Sequence, residues 1–151
     1  IEKIQPNQVP TGLDRITYAC LEHAYDKKED METLRLSSAI APIKFGVFPL
    51  MARDGLDKVA MQIDEDIRYT GIETYYDDSG SIGRRYARMD EIGTPYCITV
   101  DYQTLEDGTV TIRERDSQEQ VRVKVKDLPV VTRAVLCGAN IEQFVDGNGP
   151  E

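Results

Sequence analysis

Residues 43–77 constrain the fold more than any other part of this chain. IKFGVFPL, Ile43–Leu50, is a mostly apolar run of strand length, which fits a strand buried on both faces. Leu56, Val59, Ala60, Ile63 and Ile67 then fall at i, i+3, i+4, i+7 and i+11, a single apolar stripe of a helix. Asp54 is placed to cap that helix and Gly71 to stop it. IETYYD, Ile72–Asp77, reads as the next strand. A strand, a crossover helix and a second strand favour parallel neighbours with helices against the sheet.

The pattern continues to the end. After the Ser-Gly turn a second helix places Ile82, Tyr86, Met89 and Ile92 inward, and Gly93 and Pro95 end it. YCITVDY, Tyr96–Tyr102, is a third strand. Gly108–Arg115 and Glu119–Val125 alternate as a hairpin, with Val110, Ile112, Val121, Val123 and Val125 toward the core. Thr111, Arg113 and Arg115 then point the other way, and Arg122 and Lys124 face out. LPVVTRAVL reads as a closing helix. The expectation is an α/β fold: a three-layer domain with a mixed five-stranded sheet flanked by helices, parallel at its start and antiparallel at its end. Before it, Asp14–Tyr25 has helical periodicity, with Ile16, Ala19, Cys20 and His23 on one stripe; DKKEDMET reads as a solvated linker.

Composition narrows the function. With 151 residues the chain can hold one domain and a remnant of another. No apolar run is long enough to span a bilayer, and no secretory signal opens the chain. The first residue is not Met, which suggests a fragment. Cys20, Cys97 and Cys137 are far apart, lack metal-ligand spacing and sit in apolar segments, as buried reduced thiols do. His23 reads as structural, and Asp77–Asp78 as neighbours on opposite faces rather than a catalytic dyad. The formal net charge of -9 argues against indiscriminate nucleic-acid binding, so such a partner requires a segregated positive patch.

DDSGSIGRRYAR, Asp77–Arg88, is the candidate for that patch. Arg84 and Arg85 near a helix start oppose the helix dipole, which favours anions there. An external anion held by them and by the backbone N–H groups around Ser81 resolves the conflict. The alternative is that Arg84, Arg85 and Arg88 pair with Asp77, Asp78 or Asp90 on a solvated surface. Arg113, Arg115, Arg122 and Lys124 line one hairpin face and extend the patch under the first reading. No GK[ST] follows the turn, so it is not a P-loop, and GSIG is too short to establish a KH loop.

APIKFGVFPLMARDGL and YYDDSGSIGRRYARMDEIGTPYCITVDYQTLEDGTVTIRERDSQEQVRV closely resemble the C-terminal anticodon-binding domain of archaeal and eukaryotic glycyl-tRNA synthetases. The resemblance covers roughly residues 34–144. GLDRITYACLEHAY, Gly12–Tyr25, is similar to motif 3 of class II synthetases and its helix. The resemblance implies a remnant of a catalytic domain at 1–28, a linker at 29–42, the anticodon-binding domain at 43–145 and a tail at 146–151. It implies that Arg15 contacts the ATP γ-phosphate. It also implies that Ser81, Arg84, Arg85, Arg88, Arg113, Arg115, Arg122 and Asp116 face RNA, the anticodon stem-loop of tRNA(Gly).

The implied parent is a cytoplasmic glycine–tRNA ligase that uses ATP and Mg. It would be homodimeric through upstream motifs absent here, while this domain needs no cofactor and the fragment alone does not aminoacylate. PNQVPTG departs from the family, with Val9 where a glutamate is expected before motif 3. A synthetase-derived paralogue acting as an accessory or protein-interaction domain is therefore the second hypothesis.

Overall fold

Five strands form one mixed sheet in the order β4-β3-β5-β6-β7. They are β3 (Phe45–Pro49), β4 (Thr74–Tyr76), β5 (Tyr96–Val100), β6 (Thr109–Glu114) and β7 (Gln120–Lys124). The computed structural model describes residues 12–28 and 31–147. β3 pairs parallel with both β4 and β5, whereas β6 pairs antiparallel with β5 and β7. The two crossovers run through α2 (Leu56–Tyr69) and α3 (Ile82–Ile92). The expected mixed five-stranded sheet is therefore the one observed, with its parallel half first.

Strand alternation sorts the side chains between two faces. Phe45, Val47, Ile98, Val100, Val110, Ile112, Val121 and Val123 are buried in the main core. The stripe of α2 and the buried face of α5 (Leu128–Leu136) supply Leu56, Ala60, Ile63, Ile67, Val131 and Val135 to it. Each fully buried aliphatic side chain is worth roughly 1.5–3 kcal/mol. The opposite face of β3 and β5 carries Phe48 and Cys97, packed with Met89 and Tyr86 of α3. Gly46 is needed there, because a Cβ would lie 2.6 Å from Phe48 Cζ and 2.9 Å from Met89 Cγ. α2 and α3 thus cover opposite faces, giving three layers.

Several local expectations need correction. DKKEDMET, expected as a solvated linker, instead carries most of two strands: β1 (Tyr25–Lys28) and β2 (Met31–Leu34) pair antiparallel after α1 (Leu13–Ala24). Their charged side chains hid the strands, yet they pair across them, as Lys27 Nζ and Glu32 Oε1 do at 2.7 Å. Asp54 does not cap α2; it has φ 59, and the N-cap is Gly55 at φ 87. Tyr102, expected to end the third strand, instead starts the short helix α4 (Tyr102–Asp107), capped by Asp101 through Thr104. A 3₁₀ turn at Val125–Asp127 precedes α5, and another 3₁₀ segment, Ile141–Gly147, follows it. Of the three cysteines, all free, only Cys97 is buried; Cys137 is exposed. Val9 and the residues before Gly12 lie outside the described residues.

Candidate nucleic-acid interface

The carboxyl ends of β3, β4 and β5 lie together, and the sheet order changes direction between β3 and β5. Open α/β sheets bind ligands at such a point. Leu50 N–H donates to Val100 O at 2.7 Å and ties the two strand ends together. Three connections meet here: residues 50–55, the turn 77–81 before α3, and Asp101 before α4.

The turn is built by Asp77. Its Oδ1 accepts from Ser79 N–H and Oγ–H at 2.9 Å each, while Oδ2 accepts from Arg88 Nε at 2.9 Å. Burial pushes the Asp77 carboxyl up, but the Ser79 and Arg88 hydrogen bonds outweigh it and hold it below the usual carboxylate range. Arg85 is buried, donating to Pro49 O from Nη1 and to Gly80 O at 2.8 Å from Nη2. It pins the start of α3 to the end of β3. Arg84, on the same turn, is exposed and has no hydrogen bond or ion pair among the described residues. Ser81, the exposed N-cap of α3, makes no side-chain capping bond. An exposed guanidinium and a helix start without a side-chain cap thus sit side by side. This is the geometry that attracts a phosphate.

The hairpin arginines are placed differently from the expectation of one exposed cationic face. Arg113 lies beneath α3: Nη1 and Nη2 donate to Asp90 Oδ1 and Oδ2 at 3.1 Å each, and its guanidinium sits 4.8 Å from the Tyr86 ring centroid. Arg115 is buried, donating to Gly93 O, Leu36 O and the Asp116 carboxylate. Asp116 is thereby held below the usual carboxylate range by the Arg115 hydrogen bond. Arg122 is half-buried; its Nη1 donates to Asp101 Oδ2 at 2.7 Å and its Nε to Thr109 Oγ1 at 2.9 Å. The Arg122 hydrogen bond likewise holds the Asp101 carboxyl low. Arg113 faces α3 because that side of the sheet is covered there; Arg122, expected to face out, is engaged by Asp101, while Lys124 is exposed as expected.

Arg85, Arg113 and Arg115 are therefore internal groups, and Arg88 is engaged by Asp77 and Ser79 O. Register divides the hairpin as well. Arg122 pairs with Thr111, which faces Thr99 near the carboxyl end of β5, so it lies toward the α3 turn. Arg115 N–H bonds Pro95 O, just before the amino end of β5, so Arg115 and Asp116 lie at the other end. Arg15 is exposed on α1, away from this cluster in the chain's element order.

Sequence reasoning missed a polar group at the favoured end. Tyr102 O–H donates to Asp54 Oδ2 at 2.8 Å and accepts from Arg53 Nε at 3.4 Å, all three being exposed. The usable signal was the Arg-Asp-Gly turn directly after the first sheet strand. No group of three or more His, Cys, Asp or Glu side chains arranged for a metal occurs among the described residues.

Comparison with known proteins bears on this arrangement. Residues 38–134 match the family described as "Anticodon binding domain". A glycine–tRNA ligase from Methanocaldococcus jannaschii is 55% identical over 129 residues, covering 84% of this chain and 22% of that protein. The glycine–tRNA ligase of Archaeoglobus fulgidus is 54% identical over 129 residues, covering 83% and 23%. The chain thus spans less than a quarter of these relatives' length. A prolyl-tRNA synthetase from Cryptosporidium parvum, solved with L-proline and AMP, superposes with a TM-score of 0.64 at 19% identity, covering 74% of this chain and 23% of that one; it shows the fold alone. With its sheet, its crossovers and most of its length accounted for in this way, the chain belongs to the anticodon-binding domain family.

Proposed function

We propose that this chain is the anticodon-reading part of a glycine–tRNA ligase and that it grips the anticodon stem-loop of tRNA(Gly) at the carboxyl ends of β3, β4 and β5. The carrying observation is Arg84, exposed and with no hydrogen bond or ion pair among the described residues, beside the Ser81 start of α3. Arg53 and Tyr102 extend that surface, and Tyr102 offers an exposed ring on which a splayed base can stack. Arg122 contributes through its exposed edge while Asp101 orients it. The names of the relatives support glycine as the amino acid.

In the longer enzyme, glycine would be activated with ATP and Mg elsewhere and transferred to the tRNA end. Arg15 would meet the ATP γ-phosphate there, with the rest of that pocket supplied by upstream sequence, which would also carry a homodimer interface. Energy from anticodon contacts would then serve a reaction at a distance.

Binding of tRNA(Gly) to the chain, followed by gel shift across a salt series, tests the proposal. Arg84→Ala should weaken binding and reduce the salt slope by about one. Changing an anticodon base should cost about 1–3 kcal/mol. Equal affinity for every anticodon, or an unchanged slope in Arg84→Ala, would refute it.

A further inference from the structure

Residues 34–41, most of which were expected as part of a linker, are fastened to the anticodon-binding domain by a buried side chain. Arg115 extends from the end of β6 and is only 4% exposed. Its Nη1 donates to Gly93 O at 2.8 Å, at the end of α3. Its Nη2 donates to Leu36 O at 3.0 Å, in the segment that leads in from β2. Its Nε donates to Asp116 Oδ1 at 2.9 Å, and Nη2 also reaches Asp116 Oδ2 at 2.8 Å. One planar fork thus joins three separate parts of the chain, a task that suits guanidinium and not ammonium.

The surroundings are built for this join. Gly93 has φ +84, and a Cβ there would lie 2.8 Å from Leu36 Cδ1 and 3.1 Å from Leu34 O. Absence of a side chain lets β2 and the following residues lie directly against the end of α3. Leu36, Ala24 and Ala41 form a small apolar cluster of their own. On the far side of the segment, Lys44 Nζ donates to Ser38 O at 2.6 Å and to Ala39 O at 3.2 Å. The Leu36, Ser38 and Ala39 carbonyls within residues 34–41 therefore each accept from a cation. These bonds constrain where the backbone runs, whatever the side chains of that segment are.

We propose that Arg115 is a positioning residue. It locks residues 34–41, and with them the hairpin β1–β2 and α1, at a fixed angle to the anticodon-binding sheet, so that a tRNA held at the sheet presents its acceptor end correctly to the remainder of the enzyme. The assignment rests on the ligase reading above. Arg115 acts through the backbone of residue 36 and touches neither RNA nor the reacting groups. Its end of the sheet is opposite to the Arg84 turn, so the fastening and the anticodon surface are separate.

Two measurements test it, with Arg115→Lys and the milder Asp116→Asn. In the chain itself, hydrogen exchange of the amides of residues 34–41 should accelerate about tenfold or more in Arg115→Lys, while β3 and β5 remain protected. In the full-length enzyme, the kcat for charging tRNA(Gly) should fall about tenfold to a hundredfold. The KM for tRNA and the glycine-dependent ATP–pyrophosphate exchange rate should stay within about threefold of the parent values, since neither depends on the angle between the parts. Asp116→Asn should show the same signature at smaller size.

Unchanged exchange at residues 34–41 overturns the fastening. Unchanged charging, or equal loss of charging and of ATP–pyrophosphate exchange, overturns the positioning role. Should the unsubstituted enzyme fail to charge tRNA with glycine, the ligase reading falls instead, and the hydrogen-exchange result still decides the fastening.

Discussion

Deleting the carboxylate of Asp90 is the sharpest test of whether the hairpin arginines face inward. Arg113 and Asp90 are each 9% exposed at the side chain and joined by two parallel hydrogen bonds of 3.1 Å. Burial alone lowers the Arg113 pKa, but the Asp90 hydrogen bond and charge outweigh it and raise it. Asp90→Ala removes the compensation and leaves the burial. Breaking a buried pair from one side costs about 3–5 kcal/mol. For a chain of this length that corresponds to a fall in Tm of roughly 6–20 °C. The Tyr86 ring at 4.8 Å retains part of the attraction, which places the expected loss toward the lower end.

Thermal and urea unfolding of Asp90→Ala, Arg113→Met and the double variant Asp90→Leu/Arg113→Met would measure this. The double variant should be more stable than Asp90→Ala, because no charge remains buried without a partner. A loss below about 1 kcal/mol for Asp90→Ala is the value of a solvated pair. That result would mean Arg113 can swing into water and join an RNA-facing surface, and the inward placement would be refuted.

Two further predictions concern titration and reactivity. Asp77, Asp101 and Asp116 all have carboxyls held below the ordinary value of 3.8. A depressed carboxylate stabilises the fold above its unfolded pKa, and that contribution is lost as pH falls through the folded value. The urea midpoint should therefore drop from about pH 4 downward, and Asp101→Asn should flatten that drop; an acid limb identical to the parent's would contradict the Arg122–Asp101 pairing. Burial pushes the Cys97 thiol up to about 12, whereas Cys137 is exposed. A thiol reagent at about pH 8 should modify Cys137 in the native state and Cys97 only on unfolding, read by peptide mass; early labelling of Cys97 would refute the packing of α3 on the sheet.

Much of the fold was legible because periodicity and burial agree over α2 and the sheet strands, although Ile92, expected inward on α3, is exposed because the helix ends there. The stripe Leu56-Ala60-Ile63-Ile67 is buried as spaced, and Gly71 and Gly93 adopt the positive φ that ends their helices. The hairpin β1–β2 was not legible, because its strands are charged on both faces and too short for alternation to register. α4 escaped for the same reason, being six residues long. The site was read less well. Alternation says which residues leave the main core, but not what covers the other side. Arg113 and Asp90 are 23 positions apart, Arg122 and Asp101 are 21 apart, and Arg115 and Leu36 are 79 apart. Those separations follow from the crossover of α3 and the strand order, and no local spacing rule carries them.

The pairing also bears on how so acidic a chain can belong to this family. Arg88, Arg113, Arg115 and Arg122 are each matched to an aspartate, respectively Asp77, Asp90, Asp116 and Asp101. Matched pairs carry little field beyond their own size, so the net charge of -9 is expressed by the remaining surface. On the proposed reading, that acidic surface disfavours RNA docking away from the Arg84 turn. Arginines that look like a phosphate grip in the sequence act instead as the frame that fixes the turn: Arg85 holds it to β3 and Arg88 closes it through Asp77, while Arg84 stays exposed with no hydrogen bond or ion pair among the described residues. Rigid support behind the exposed Arg84 limits the freedom lost when it engages an anion, and on the proposed reading this favours selectivity over strength.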